Sequence, residues 1–189
     1  MPAAIITREE ALARLAECFR TLGYDGASLS ALTDASGLGK GSLYNYFPGG
    51  KEQMAAEVLA HIDAWFEAEV YAPLRQTKNP RAAIAAMFQA TEDYFHGGGR
   101  VCLVGAFALD ATRDRFAAAV HDYFARWITA LATALKRGGA AEPRKLAECI
   151  VAGIQGALTL ARALDEPALF RRQLHEMRKQ IDQALPAVR

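Results

Sequence analysis

The sequence predicts an all-α protein of about nine helices, three short ones in an N-terminal domain and longer ones after it. Three observations carry that prediction. Apolar residues recur at three- and four-residue spacing along most of the 189 positions, which is the pattern of amphipathic helices. Gly and Pro gather at a few points, among them Pro48-Gly49-Gly50, Gly97-Gly98-Gly99 and Gly138-Gly139, as helix punctuation rather than hairpin turns. Alternating apolar and polar residues of the strand type do not occur.

Thr7 and Glu10 form a capping box, each side chain able to satisfy the other's free backbone N–H. Ala11, Leu12, Leu15, Ala16, Phe19 and Leu22 then make one apolar stripe, which Gly23 ends. Ser28 caps a short helix through Ser36, closed by Gly37 as the left-handed turn residue. A third short helix covers Lys40 to Tyr46, and Pro48-Gly49-Gly50 breaks the chain before a long helix from about Lys51. Asn79-Pro80 starts the next helix, which runs to the Gly97-Gly98-Gly99 break. A compact apolar segment follows at Cys102–Leu109, then a long helix from Arg113 to Lys136. Pro143 opens a helix through about Leu164, and Pro167 opens the last, through about Leu185. The domain boundary falls where short helices give way to long ones, dividing the chain into 1–52 and 53–189.

A chain of this length buries roughly 70% of its unfolded surface and needs no staples to fold. Lys and Arg number 22 against 21 Asp and Glu, a net charge of +1, so any nucleic-acid contact must come from local geometry. Cys18, Cys102 and Cys149 are far apart and lack metal-ligand spacing, which fits thiols in a reducing cytoplasm. The segment MPAAIITREEAL lacks the basic start and apolar core of a secretory signal. The apolar runs Val101–Leu109 and Cys149–Ala161 fall short of the ~20 residues of a membrane span. A cytoplasmic protein without membrane association is expected.

Catalytic and metal chemistry find no support in the sequence. Gly37-Leu-Gly-Lys-Gly-Ser42 is not a phosphate loop, because Gly41 splits Lys40 from Ser42 and no strand precedes it. His61, His96, His121 and His175 show no paired ligand spacing. No nucleophile elbow surrounds any Ser or Cys. No catalytic residues, metal or cofactor are expected.

Two short helices joined by a tight glycine turn meet the physical requirement of a helix-turn-helix, in which the second helix enters the major groove of DNA. Leu29, Leu32, Ala35, Leu38, Leu43 and Phe47 can face inward and fix the angle between the helices. Lys40, Ser42, Tyr44, Asn45 and Tyr46 are then left to face outward. Residues 1–53 carry five basic groups (Arg8, Arg14, Arg20, Lys40, Lys51) and six acidic ones, a net of −1. So few phosphate neutralisations predict weak nonspecific binding and a shallow salt dependence per subunit.

Ser28, Leu32-Thr33, Ser36-Gly37-Leu38, Lys40-Gly41-Ser42-Leu43-Tyr44-Asn45-Tyr46-Phe47 and Lys51-Glu52 together resemble the DNA-binding region of the TetR family of bacterial transcriptional regulators. The match covers about residues 7–58. Pro48-Gly49-Gly50 and Cys102-Leu-Val-Gly-Ala-Phe-Ala-Leu109 are similar to the LmrA/YxaF branch. The resemblance implies a homodimeric repressor, released from a palindromic double-stranded operator by a small-molecule effector that the C-terminal part senses. It implies phosphate contacts from Ser28, Lys40, Tyr44, Tyr46 and Lys51, close backbone approach at Gly41, and base contacts from Ser42 and Asn45. Gly39 stands where the family often has a Ser or Thr helix cap, a small cost because Gly caps acceptably.

For the sensing half, Phe66, Phe88, Tyr94, Cys102, Phe107 and Trp127 are the candidate lining of an apolar pocket between helices. Few charges interrupt the apolar faces, which favours an uncharged or cationic aromatic effector. The last two helices are expected to build the dimer. Gly153 and Gly156 with Ala152 and Ala157 offer a small-residue surface beside Leu158, Leu160 and Leu164.

Overall fold

The structure, a computed structural model, describes residues 6–186. The first five residues of the segment read above for a leader lie outside the described residues. Among the latter every regular element is helical. They are α1 (Arg8–Gly26), α2 (Leu29–Ser36), α3 (Lys40–Tyr46), α4 (Gly50–Phe66), α5 (Ala72–Gln76), α6 (Pro80–Tyr94), α7 (Leu103–Ala108), α8 (Thr112–Arg115), α9 (Ala117–Arg137), α10 (Pro143–Ala163) and α11 (Pro167–Ala184). A π turn occupies Glu67–Tyr71 and a 3-10 turn His96–Gly98.

The all-α expectation holds, and the surplus over nine helices has two local causes. The helix expected from Lys51 onward is α4, the π turn and α5 in unbroken succession. Pro73 lacks an N–H and its ring crowds the carbonyl four residues back, a strain that a widened π turn relieves. The helix expected over Arg113–Lys136 is interrupted at Phe116, whose backbone leaves the helical region (φ −118°, ψ 28°). Its ring is buried against Tyr24 at 5.5 Å and Phe107 at 5.7 Å, so side-chain burial sets the break.

The chain divides into two compact units. The described residues up to Asp63 form the first, together with Leu103–Val120, and Ala64–Cys102 with the residues from His121 onward form the second. In the first unit the capping box is present, with Glu10 N–H on Thr7 Oγ1 at 3.1 Å and Thr7 N–H on Glu10 Oε2 at 2.8 Å. Gly23 kinks α1 at φ 69°. Leu15, Phe19, Leu32, Leu43, Phe47, Met54 and Val58 are fully buried or nearly so. Phe107 of α7 closes this core, edge-on to Phe19 at 6.3 Å and to Tyr24 at 6.1 Å.

The second unit is built on α10 packed along α11, with the 3-10 turn and α6 also against α11. Gly98 fits there because it has no side chain. At its φ of 101° a Cβ would lie 2.6 Å from Phe170 Cβ and 2.7 Å from the Pro167 carbonyl. Among the described residues α10 is the one helix long and apolar enough by composition to cross a membrane. Its Ile150, Val151, Ile154, Ala157, Leu158 and Ala161 are buried within the unit. The small residues of α10 separate by face. Gly153 packs inside the chain, where a Cβ would meet Met177 Cε at 3.0 Å, whereas Gly156 has open space at that position. Ala152, Gly156, Leu160 and Leu164 stay exposed, while Ala157 and Leu158 are buried at 3% and 6%.

Candidate nucleic-acid interface

The helix-turn-helix is α2, the turn at Gly37–Gly39, and α3. Ser28 opens α2, its Oγ accepting from Ala31 N–H at 3.2 Å, which leaves the hydroxyl hydrogen free to donate outward. Gly37 ends α2 in the left-handed conformation (φ 71°, ψ 12°), its N–H on the Thr33 carbonyl. The turn is crowded, since a Cβ at Gly37 would lie 2.8 Å from Arg14 Nη1 and 3.0 Å from Ile6 Cδ1. Arg14 Nη1 donates to the Ser36 carbonyl at 3.1 Å, so α1 caps the C-terminus of α2, a role the sequence pattern did not reveal. Ser36 is itself buried, its hydroxyl on the Thr33 carbonyl at 3.0 Å.

Of the six residues expected to face inward, Leu32, Leu43 and Phe47 are completely buried, while Leu29, Ala35 and Leu38 are half-buried. They leave α3 with a polar outer face. Lys40, Gly41, Ser42, Tyr44 and Asn45 are exposed. Gly39 and Gly41 have open space where a Cβ would stand, so a ligand surface can approach the backbone there. These residues, with exposed Ser28, form the part of the expected site that the structure leaves facing outward.

Two expected contact residues are placed differently. Tyr46, expected to face outward, is half-buried, and its hydroxyl donates to the Ile6 carbonyl at 3.2 Å. The helical turn of α3 puts it beside Phe47, against the start of α1. Lys51, expected at phosphate from the N-terminus of α4, turns inward. Its Nζ donates to the carbonyls of Tyr24 at 2.9 Å and Asp25 at 3.5 Å, and lies 4.6 Å above the Tyr24 ring. Both side chains have partners about thirty to forty residues upstream, which local spacing cannot show.

Electrostatics narrow the surface further. Arg8 pairs with Glu57 and lies 5.4 Å above the Phe47 ring. Arg20 pairs with Glu17 at 2.8 Å. With Arg14 and Lys51 on backbone carbonyls, Lys40 is the cation of this segment left without an internal partner among the described residues. One free ammonium on an exposed polar helix face suits docking to a phosphate backbone with little general affinity.

The candidate pocket residues fall in three places. Phe66, Tyr94 and Trp127 come together in the second unit, Phe66 lying 4.9 Å from Tyr94 and 5.2 Å from Trp127. Trp127 Nε1 donates to Met87 Sδ at 3.5 Å. Cys102 is buried beside Tyr123. Phe88 lies instead under Arg178, 5.3 Å from its guanidinium carbon. Phe107 belongs to the first unit's core with Phe19, Tyr24 and Phe116. Tyr71 and Tyr123 of the aromatic cluster were missed: Tyr71 is buried 5.9 Å from Phe66, and Tyr123 sits 4.8 Å from the same ring and is 1% exposed. For Tyr123, its position four residues before Trp127 on the apolar stripe of α9 was the available signal. The Tyr123 hydroxyl has no partner stronger than the neighbouring Cys102 thiol. Burial, and then the nearby Cys102, Tyr71 and Tyr94, push its pKa well above the ordinary tyrosine value. Among the described residues no cluster of three or more His, Cys, Asp or Glu could hold a metal ion.

Comparison with known proteins agrees with this geometry. Residues 11–58 match the family model for bacterial regulatory proteins of the TetR family. Residues 80–176 match the C-terminal domain of LmrA/YxaF-like transcriptional regulators. The HTH-type transcriptional regulator LmrA of Bacillus subtilis is 29% identical over 166 residues, spanning 82% of this chain and 86% of its own. A TetR transcriptional regulator from Legionella pneumophila superposes with a TM-score of 0.81 at 23% identity, over 98% of this chain and all of that one. A cysteine mutant of the TetR family regulator CifR, complexed with 26-base-pair double-strand operator DNA, gives 0.75 at 26% identity over 98% of this chain and 100% of that one. The chain belongs to the TetR family of bacterial transcriptional regulators, with a C-terminal domain of the LmrA/YxaF-like kind.

Proposed function

We propose that this regulator is a homodimeric repressor, released from a palindromic operator by a small-molecule effector. The observation that carries the reading is the exposed polar face of α3, with Lys40, Ser42, Tyr44 and Asn45 outward and open space at Gly39 and Gly41. We assign phosphate contacts to Ser28, Lys40 and Tyr44, and base-edge contacts to Ser42 and Asn45, since an amide can pair bidentately with adenine. Tyr46 and Lys51 are assigned to bracing the helix-turn-helix from behind. Residues 1–52 act as the DNA-binding domain and 53–189 as the sensing and dimerisation part. The working compartment is the cytoplasm.

Dimerisation through α10 and α11 is supported by the exposed apolar face of α10, where Leu160 is 51% and Leu164 61% exposed. Two recognition helices about 34–36 Å apart would then meet successive major grooves. Effector sensing is assigned to the aromatic cluster around Phe66, Tyr94 and Trp127. An effector that weakens operator binding a hundredfold must favour the released state by about 2.7 kcal/mol.

The test is fluorescence anisotropy against DNA from beside the gene, across a salt series. Saturable binding that prefers this DNA over scrambled sequence and weakens in Lys40→Ala is the expected result. Dimeric protein that fails to bind several flanking fragments even at low salt overturns the reading.

A further inference from the structure

A groove of about 70 Å³ opens between α6 and α11 in the second unit, lined by Arg81, Ile84, Phe88, Arg178, Ile181 and Asp182 among others. Arg178 Nε and Nη2 are both buried there without a hydrogen-bond partner. A guanidinium stays charged at any physiological pH, so this is a half-buried cation with two buried, unmet donors. The Phe88 ring, 5.3 Å from Arg178 Cζ, attracts the charge through its face but accepts neither N–H. The one acid at the groove is already engaged, since Asp182 Oδ1 accepts from Arg81 at 3.3 Å. Arg81 Nη2 is held by the carbonyls of Leu185 at 3.0 Å and Pro186 at 2.8 Å.

Nε and Nη2 form one side edge of the guanidinium, with two parallel N–H groups spaced to meet both oxygens of a carboxylate. We propose that this groove binds a small organic monocarboxylate, the Arg178 guanidinium turning to bring that closed-off edge onto its oxygens while its hydrocarbon part lies against Ile84 and Ile181. A phosphate fits poorly, because its further oxygens would face apolar walls without donors. This site is distinct from the aromatic cluster assigned to the effector and stands independently of the DNA-binding reading.

Isothermal titration of the full-length protein with butyrate, its neutral counterpart butyramide and inorganic phosphate tests the proposal. Butyrate is expected to bind saturably at one site per chain, with butyramide and phosphate at least about tenfold weaker. Arg178→Lys keeps the charge and loses the fork, and is expected to weaken butyrate about tenfold with an unchanged far-UV spectrum. Arg178→Met is expected to abolish binding; should that variant fail to fold, Arg178→Lys alone decides. Equal binding of butyrate and butyramide, equal affinity in Arg178→Lys, or no binding of butyrate overturns the proposal.

Discussion

The ammonium of Lys51 donates to the carbonyl of Tyr24 at 2.9 Å and lies 4.6 Å above the same residue's ring. The first residues of α4 are thereby tied to the end of α1, where the helix macrodipole leaves carbonyls that favour a cation. A charge-assisted hydrogen bond is worth about 1.5–3 kcal/mol and a partly hydrated cation over a ring about 0.5–1 kcal/mol. Partial solvent exposure of Lys51 places its contribution at the low end of that sum.

Lys51→Met is therefore a stability variant. It should cost about 1–2 kcal/mol and lower the thermal midpoint by roughly 3–6 °C. Lys40→Ala should leave the midpoint within about 1 °C, because Lys40 is exposed and unpartnered. Differential scanning fluorimetry on both proteins checks this. Equal midpoints for Lys51→Met and the parent would show that the Tyr24 contact carries no stability.

Tyr46→Phe removes the hydrogen bond to Ile6 and leaves the ring packed edge-on to Phe47 at 6.2 Å. The expected loss is about 0.5–1.5 kcal/mol, with DNA affinity reduced less than in Lys40→Ala. Urea unfolding measures the first and anisotropy the second. A larger affinity loss than in Lys40→Ala, at unchanged stability, would return the Tyr46 hydroxyl to the DNA surface.

Gly37→Ala meets both a positive φ of 71° and two side-chain atoms at 3.0 Å or less. The left-handed backbone alone costs about 1–2 kcal/mol for a residue with a Cβ, and displacing Arg14 also endangers its bond to the Ser36 carbonyl. A loss of at least about 2 kcal/mol in urea unfolding is expected. Near-neutral behaviour would mean that the α2–α3 turn relaxes without cost.

What was legible beforehand follows from the range of the forces involved. The Thr7–Glu10 box, the Ser28 cap, Gly37 in the turn and the starts of α6, α10 and α11 are set by residues within about one helical turn, and each lies where spacing placed it. The exposed face of α3 is equally local. Features decided by distant partners were not legible. Phe116 breaks a helix because its ring is wanted among Tyr24 and Phe107. Tyr46 and Lys51 find carbonyls of residues far back in the chain. Phe66, Phe88 and Phe107 looked equivalent as apolar aromatics, yet the topology sends them to an aromatic cluster, a groove beneath Arg178 and the first unit's core.

The salt response separates Lys40 from Asn45. Lys40→Ala should weaken binding to all DNA alike and reduce the slope of log affinity against log salt by about 1 per subunit. Asn45→Ala should keep the slope and lose about 1–3 kcal/mol of discrimination between operator and scrambled DNA. Anisotropy titrations at several salt concentrations give both quantities. An unchanged slope in Lys40→Ala would remove Lys40 from the phosphate surface.

Tyr123 offers a stability test with a defined sign. Its hydroxyl is fully buried with only the weakly accepting Cys102 thiol beside it, and a buried donor so poorly satisfied costs about 1–3 kcal/mol in the folded state. Tyr123→Phe removes that cost at the expense of a small void, so stability at pH 7 should hold or rise by up to about 1 kcal/mol. The pH dependence follows from the raised pKa, caused by burial and then by Cys102, Tyr71 and Tyr94. The folded state retains the phenol proton above pH ~10, where the unfolded chain releases it. Tyr123 therefore makes no pH-dependent contribution below about 10, and above it stability falls by up to about 1.4 kcal/mol per pH unit. Urea midpoints at pH 7, 9.5 and 11 should show the parent losing stability between the last two values faster than Tyr123→Phe. A loss of more than 1 kcal/mol in the variant at pH 7, or parallel curves at high pH, would mean that the hydroxyl is satisfied in solution.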